Sequence, residues 1–442
     1  MQKKISRRDF TKTGAAVGTA VGAATLGWTA VQAARVRGAN ERIRLGMIGV
    51  GNRGSQLLGA FLASADAQIV AICDIYQPYL KRAAAKLDGP VDRYGDFRKL
   101  LDRTDLDAVV IATPDHWHAL QTIAACRAGK DVYVEKPLSI TIHEGRRMAE
   151  VARQTNRVVQ VGTHRRSAQL WQKMAQMVQA GDLGKTTVSR ACRLSNMYPD
   201  GIGKRPTSAP PSDLDWDMWL GPRPARPYQD NIAPYKFRWW HLYSSQMANW
   251  GVHYLDAMRW CADQLAPASV CAMGGRFAVD DDRTIPDTAQ AMFEFASGHL
   301  SLFGTFEATG NRILPEGEME IRGTQGTAYI GGNKIHVLPE RGGQFQDHAP
   351  RMDPVELTIP ESGNHGATAA HAQNFLDCVK SRERPNADVE IGQRSTTMAH
   401  LANISLAVKS RLEWDAQNER ITNVPQANDF LHYEYRAPWT LG

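Results

Sequence analysis

"IRLGMIGVGNRG", residues 43–54, decides the fold. A short apolar run ends in glycines, and helical spacing follows at once in "SQLLGAFLAS", residues 55–64. Gly49, Gly51 and Gly54 make a GxGxxG pattern between a strand and a helix. Gly49 allows the tight turn, Gly51 lets the backbone approach a pyrophosphate, and Gly54 permits close helix packing. The motif alone is weak, but its context is right. Asp74 closes the next strand, "QIVAICD", about 20 residues further on. That carboxylate would accept hydrogen bonds from an adenosine ribose and repel a 2′-phosphate, so NAD is expected in preference to NADP. Asn52 and Arg53 open the helix. Arg53 reads either as a phosphate contact or as a solvated arginine.

Outward from this motif, strands and helices keep alternating. "LDAVVIATP" (106–114), "DVYVEKP" (131–137) and "RVVQVG" (157–162) read as strands. "YLKRAAAKL" (79–87), "WHALQTIAACRAGK" (117–130) and "TIHEGRRMAEVARQTN" (141–156) read as helices. This spacing means an α/β Rossmann domain with a doubly wound parallel sheet, over residues 41–163. The texture changes after Gly162. A helix and the strand "KTTVSRACRL" (185–194) lead into a loop rich in Pro, Asp and Trp, residues 197–228, too long for a plain connector. Period-two alternation then fills 288–308 and 317–339, with Gly-containing turns. Residues 164–442 are therefore expected to form an α+β domain on an open, largely antiparallel sheet, with one face free for a partner or substrate, closed by a C-terminal helix and an aromatic tail.

Composition narrows the function classes. The 442 residues are 43% hydrophobic and 22% charged, which suits a globular chain of two domains. The formal charge of +6 is modest and not gathered in one run, so nucleic acid is not an expected partner. The six cysteines are scattered and none stands in a CxxC pair, so no metal site is expected. Arg7 and Arg8 precede an Ala/Gly-rich apolar stretch that ends in Val31-Gln32-Ala33. Residues 1–33 read as a twin-arginine signal peptide. The expected localisation is periplasmic or otherwise exported, through the twin-arginine machinery, with no stable membrane insertion after cleavage. That route suits a cofactor bound tightly before export.

The strand "DVYVEKP" ends on Glu135, Lys136 and Pro137. Charges at a sheet end are costly unless paired or used. In an open α/β sheet this carboxyl edge is where ligands bind. Lys136 can point at a substrate hydroxyl that gives up a hydride, Glu135 can pair with backbone or cofactor groups, and Pro137 fixes the chain direction. "PDHWHA" (114–119) invites a metal through His116 and His118, but two histidines at this spacing read better as ligand contact or loop packing. Arg165, in "GTHRRS", reads as a contact to a polyol or acidic substrate, or as a surface ion pair. Trp239 and Trp240 could stack on a sugar ring or pack in a core.

"GVGNRG", "ATPDHWHA", "EKPLS" and "NWGVHYLD" together resemble the Gfo/Idh/MocA oxidoreductase family, over nearly the whole chain after the signal segment. The resemblance implies a Rossmann domain with an open-sheet second domain. It implies that Lys136 lies near the reacting hydroxyl, that Thr113, Pro114 and His118 surround cofactor and substrate, and that His253 is the histidine of the second-domain motif. Lys136 and His253 are the expected catalytic pair. His116, His118, Arg165, Trp240, Asn249 and His253 are the expected substrate contacts. One position departs from the family pattern: Asn249 stands where an Asp is usual, four residues before His253. An amide cannot exchange protons near neutral pH. Asp256 reads as a structural or orienting partner.

The reading that follows is an NAD-dependent oxidoreductase acting on a sugar, cyclitol or sugar derivative. The alternative is an NAD-dependent glycosidase that oxidises a ring carbon transiently and eliminates the aglycone. A third reading is a sugar-binding protein without turnover. An open sheet face needs cover, so a homo-oligomer, dimer or tetramer, is expected.

Overall fold

Apolar β-branched runs bounded by turns build the first sheet. In the computed structural model, which describes residues 42–360 and 364–442, the twin-arginine segment lies outside the described residues. The six strands are β1 (Ile43–Ile48), β2 (Ala67–Cys73), β3 (Asp92–Tyr94), β4 (Ala108–Ile111), β5 (Asp131–Val134) and β6 (Val159–Val161). Their order is β3-β2-β1-β4-β5-β6, and every pairing is parallel. β1, β4 and β5 are almost wholly buried, as continuous apolar runs in a doubly covered sheet must be. Helices α1 (Asn52–Leu62), α2 (Gln77–Ala84), α3 (Phe97–Leu101), α4 (His118–Arg127) and α5 (Ile142–Gln154) make the crossovers. A capping box, Thr141 with Glu144, starts α5. The chain order reverses between β1 and β4, so a crevice opens at their carboxyl ends.

The second sheet has ten strands: β7 (Thr186–Leu194), β8 (Ser269–Gly275), β9 (Thr288–Phe295), β10 (His299–Phe306), β11 (Met319–Gly323), β12 (Gly326–Gly331), β13 (Lys334–Pro339), β14 (Val355–Thr358), β15 (Leu412–Asp415) and β16 (Arg420–Ile421). Their order is β14-β13-β12-β11-β7-β10-β9-β8-β15-β16. β7 and β10 pair in parallel and the other named pairings are antiparallel. The inward side chains Ala191, Phe293, Phe303, Ile321 and Val337 form a core with helices α6 (Gln169–Ala180), α9 (Gly251–Cys261) and α11 (Val389–Val408). The shorter α7 (Trp216–Leu220) and α8 (Gln246–Asn249) belong to the long loop and the start of α9, and α10 (Asn364–Ser381) packs back on α1. On the opposite face of the sheet Met273, Met292, Leu300 and Leu338 are exposed. Among the described residues no helix is long and apolar enough to cross a membrane.

The two sheets are tied by a buried carboxylate. Asp256, on α9, accepts from Arg166 Nε at 2.8 Å and Nη2 at 2.9 Å, and from Ser395 Oγ of α11 at 2.6 Å. Arg259 stands 3.7 Å away. Asp256 therefore joins the exit of β6 to α9 and α11, in the structural role expected of it. The tail also packs on its own chain: Trp439 lies edge-on to Trp117, Tyr435 donates to Glu144 Oε1 at 2.5 Å, and Arg436 donates through Nε to the Gly221 carbonyl at 2.9 Å.

Removing one partner from a buried charge cluster leaves the others uncompensated. Asp256→Ala should lower the free energy of unfolding by about 3–5 kcal/mol, read from urea unfolding. A loss within error of zero would contradict the structural role of this cluster.

Candidate functional site

The glycine motif forms a cradle at the switch point. Gly49 has φ +82°, and a Cβ there would lie 2.8 Å from the backbone of Ala112 and Thr113. A Cβ on Gly54 would collide with the Gly49 carbonyl oxygen, and one on Gly51 would meet the Tyr79 ring. Only glycine lets the strand end, the β4 loop and the start of α1 approach this closely. A cleft opens beside them, walled by Gly49, Gly51, Asn52, Asp74, Thr113 and Pro114 among others. Asp74 Oδ2 accepts from Val50 N–H at 2.9 Å and Oδ1 from Tyr76 N–H at 3.0 Å. Burial raises its pKa to about 6 against those two bonds, so it is ionised at neutral pH. The long loop closes over this point: Asp213 O accepts from Gln77 N–H at 3.0 Å, and Asp215 N–H donates to Ile75 O at 3.2 Å. Leu214, Met218, Trp219 and Phe237 thus become walls of the cleft.

A second cavity adjoins the cradle, since Asn52, Arg53 and Thr113 line both. Lys136 and His253 share its wall. Lys136 Nζ donates to the backbone oxygen of Asn249 at 2.7 Å and to Asn249 Oδ1 at 2.9 Å. Burial lowers the lysine to about 8, although Glu135 and Asp115 oppose the shift. A neutral amine has two N–H donors and one lone pair. With both donors engaged by Asn249, the lone pair is left for a substrate hydroxyl. Asn249 thus accepts from the amine without adding the negative charge that would raise its pKa. Asn249 is itself fixed, because its Nδ2 donates to Gln246 Oε1 at 3.3 Å and Gln246 Nε2 donates to Glu307 Oε1 at 2.9 Å.

Glu135 pairs with Arg53 Nε at 2.8 Å. Burial alone would raise this carboxyl, but Arg53 and Lys136 hold it below the usual range. Arg53 is therefore neither free nor solvated, and its Nη2 remains buried without a partner. His253 is neutral: burial, then Lys136 and His164, push its pKa well below the ordinary value. Its Nδ1 has no partner, and its ring meets His164 edge-on at 5.0 Å.

Three expected contacts lie elsewhere. His116 is buried with its Nε2 donating to the Trp219 carbonyl at 2.8 Å, against the rings of Trp219 and Tyr243. His118 is buried too, facing the Pro137 carbonyl through Nδ1 at 2.7 Å and the Thr113 carbonyl through Nε2 at 3.0 Å. It braces the two loops that carry site residues and does not line either cavity. Trp240 is in the core under the long loop, donating to Asn231 O at 2.9 Å, while its neighbour Trp239 lines the substrate cavity and donates to Glu307 Oε2 at 2.9 Å. Arg165 does line the cavity, held to Glu318 at 2.9 Å. Glu307, Gln246, Arg193 and Trp250 were not singled out from sequence. The first carries a legible signal, an acid directly after a strand, as Glu135 is after β5. Among the described residues no group of three or more His, Cys, Asp or Glu side chains is placed to hold a metal.

Residues 43–163 match the oxidoreductase family with an NAD-binding Rossmann fold, and residues 169–441 match that family's C-terminal alpha/beta domain. The chain belongs to the Gfo/Idh/MocA oxidoreductases. The glycine cradle, Asp74 and the unpartnered Arg53 Nη2 suit the NAD of this family. A glycosyl hydrolase family 109 protein of Saccharopolyspora erythraea is 36% identical over 176 residues, which cover 35% of this chain and 38% of that protein. An alpha-N-acetylgalactosaminidase of Shewanella oneidensis is 35% identical over 125 residues, covering 26% of this chain and 27% of that protein. The matched stretches thus span well under half of these relatives' own length. A solved levoglucosan dehydrogenase, in complex with NADH and levoglucosan, has the same fold at a TM-score of 0.64 and 18% identity, over 84% of this chain and 99% of that one.

Asp74→Ser keeps an acceptor for the backbone but removes the charge. Arg82, whose guanidinium lies 4.6 Å from the Tyr79 ring centroid, is then left near the ribose edge. The variant should narrow the preference for NADH over NADPH by about tenfold or more, measured by fluorescence titration. An unchanged ratio would remove Asp74 from cofactor selection.

Proposed function

We propose that the protein removes hydride and a proton from a hydroxyl-bearing ring carbon of a sugar or sugar derivative. The carrying observation is the Lys136 amine, held at two points by Asn249 on the cavity wall, so that loss of its proton leaves a lone pair for the substrate. Gly49, Gly51, Gly54, Asp74 and Arg53 would hold NAD, which when bound supplies the hydride acceptor. Lys136 takes the hydroxyl proton, and the neutral His253 orients that hydroxyl through a hydrogen bond. The loop over the cleft excludes water and retards cofactor loss, in keeping with a tightly held NAD. Export by the twin-arginine route and a homo-oligomer formed through the apolar face of the ten-stranded sheet belong to the same proposal.

A second reading has specific support. The covered cleft favours a cofactor that stays bound through a whole cycle, and two relatives bear glycosidase names. In that reading the new carbonyl acidifies the neighbouring C–H, loss of that proton and of the aglycone forms a double bond, water adds across it, and hydride returns to the carbonyl carbon within one turnover.

One assay separates the two. Purified protein is given NAD and a panel of sugars and nitrophenyl glycosides, with absorbance at 340 nm and aglycone followed together. The first reading predicts a sustained rise at 340 nm. Aglycone release with a flat trace would replace it by the second, and neither signal on any substrate would overturn both. With the active substrate, the rate should rise with pH to a plateau with a midpoint near 8, as Lys136 loses its proton. Asn249→Asp puts a negative charge beside the amine, raises its pKa and should move that limb upward by about 1–2 pH units. An unmoved limb would mean that Lys136 is not the base.

A further inference from the structure

The substrate cavity is lined by Arg53, Arg165, Arg193 and Arg238, and not every one of them is ion-paired with its carboxylates. Four acids line it, and all are engaged. Asp115 accepts from Ser244, Glu135 pairs with Arg53, and Glu318 accepts from Arg165 and Tyr254. Glu307 is filled by Arg283, Trp239 and Gln246. Arg193 lines the same wall; its charge favours the ionised form of Glu307, but among the described residues it makes no hydrogen bond or close ion pair. Its guanidinium is held flat over the Trp250 indole, 3.8 Å from the ring centroid. Arg193 shares the inward parity of the buried Ala191 on β7, so it faces the helices and not the open side of the sheet.

Arg165 is the second half of the arrangement. It lies between Tyr254 and Trp171, at 4.2 and 4.4 Å from their ring centroids. Nη2 is used by Glu318, but Nη1 is buried with no partner. Trp250 and Tyr254 are four residues apart at the start of α9, and Arg193 and Arg165 both line the one cavity. His253, 93% buried and with an unpartnered Nδ1, projects from the same turn. Stacked, immobilised guanidinium groups with free edges suit a planar anion that accepts from both. A neutral sugar would leave the buried Arg165 Nη1 unmatched and the half-buried Arg193 without an anion.

We propose that the substrate is an acidic sugar, its carboxylate received by Arg193 and Arg165 while a ring hydroxyl meets Lys136. This rests on the oxidoreductase reading for the site but is tested by binding alone. Calorimetric titration of the NADH-loaded protein with methyl glucuronide and methyl galacturonide is compared with the methyl glucoside, the methyl galactoside and their 6-sulfates. At least one uronide should bind about tenfold or more tighter than its neutral parent, and the advantage should shrink with added salt. Arg193→Gln should abolish that advantage and Arg193→Lys should restore part of it, with melting temperatures confirming that both variants fold. Equal affinity for uronide and parent, or no saturable uronide binding, would overturn the proposal. Preference for a sulfate over the uronide would overturn the carboxylate assignment. Turnover of neutral glycosides with no uronide preference would reject the acidic substrate and leave the oxidoreductase reading standing. Tight uronide binding with no turnover would do the reverse.

Discussion

An amine withdrawn from water must either lose its proton or find acceptors, and Lys136 does some of each. Burial takes its pKa down to about 8, and Asn249 supplies two oxygens that fit the N–H groups of the neutral form. That contact joins the end of β5 to α8, so the base is assembled only when both domains are in place. Asn249 is fixed by Gln246, Gln246 by Glu307, and Glu307 by the wholly buried Arg283. A chain of satisfied polar groups this long costs little once complete and a good deal if one member is missing. The amide at position 249, which looks like a lost proton carrier, is in this setting what keeps the neighbouring amine basic without charging it.

The dinucleotide cleft depends on a different device. Rossmann crevices open toward solvent at the carboxyl ends of the strands. Here residues 213–215 hydrogen-bond to the chain just after Asp74, and the hydrophobic cluster of Leu214, Trp219, Phe237 and Trp240 rests above. The C-terminal tail holds this cover down through Arg436 on Gly221 and Trp439 on Trp117. A cofactor enclosed this way would have to displace the cover to leave. Water exclusion also strengthens each charge in the adjoining cavity.

Much of this was legible in the sequence, for a physical reason. Parallel strands buried on both faces read as continuous apolar runs, so β1, β2, β4, β5 and β6 stand out, and the glycine motif needs only its own three positions. Helix α11 escaped notice because it lies between the two domains. With Ser395, Thr396, His400 and Ser405 all buried, it shows no polar stripe. Side-chain direction in irregular segments was likewise hidden. Trp239 and Trp240 are adjacent, yet one faces the cavity and the other the core. His116 and His118 look like ligands by spacing, but the carbonyls that hold them come from distant loops. Arg193 sat in plain view at inward parity, but its meaning depends on Trp250, which only the tertiary fold supplies.

The most direct test follows the amine itself. Lys136 can be titrated by NMR in protein carrying isotope-labelled lysine, its resonance assigned by its absence in Lys136→Arg. A midpoint near 8 is expected. A midpoint at the ordinary lysine value of about 10.4 would mean a fully charged ammonium at working pH, and Lys136 could not be the base.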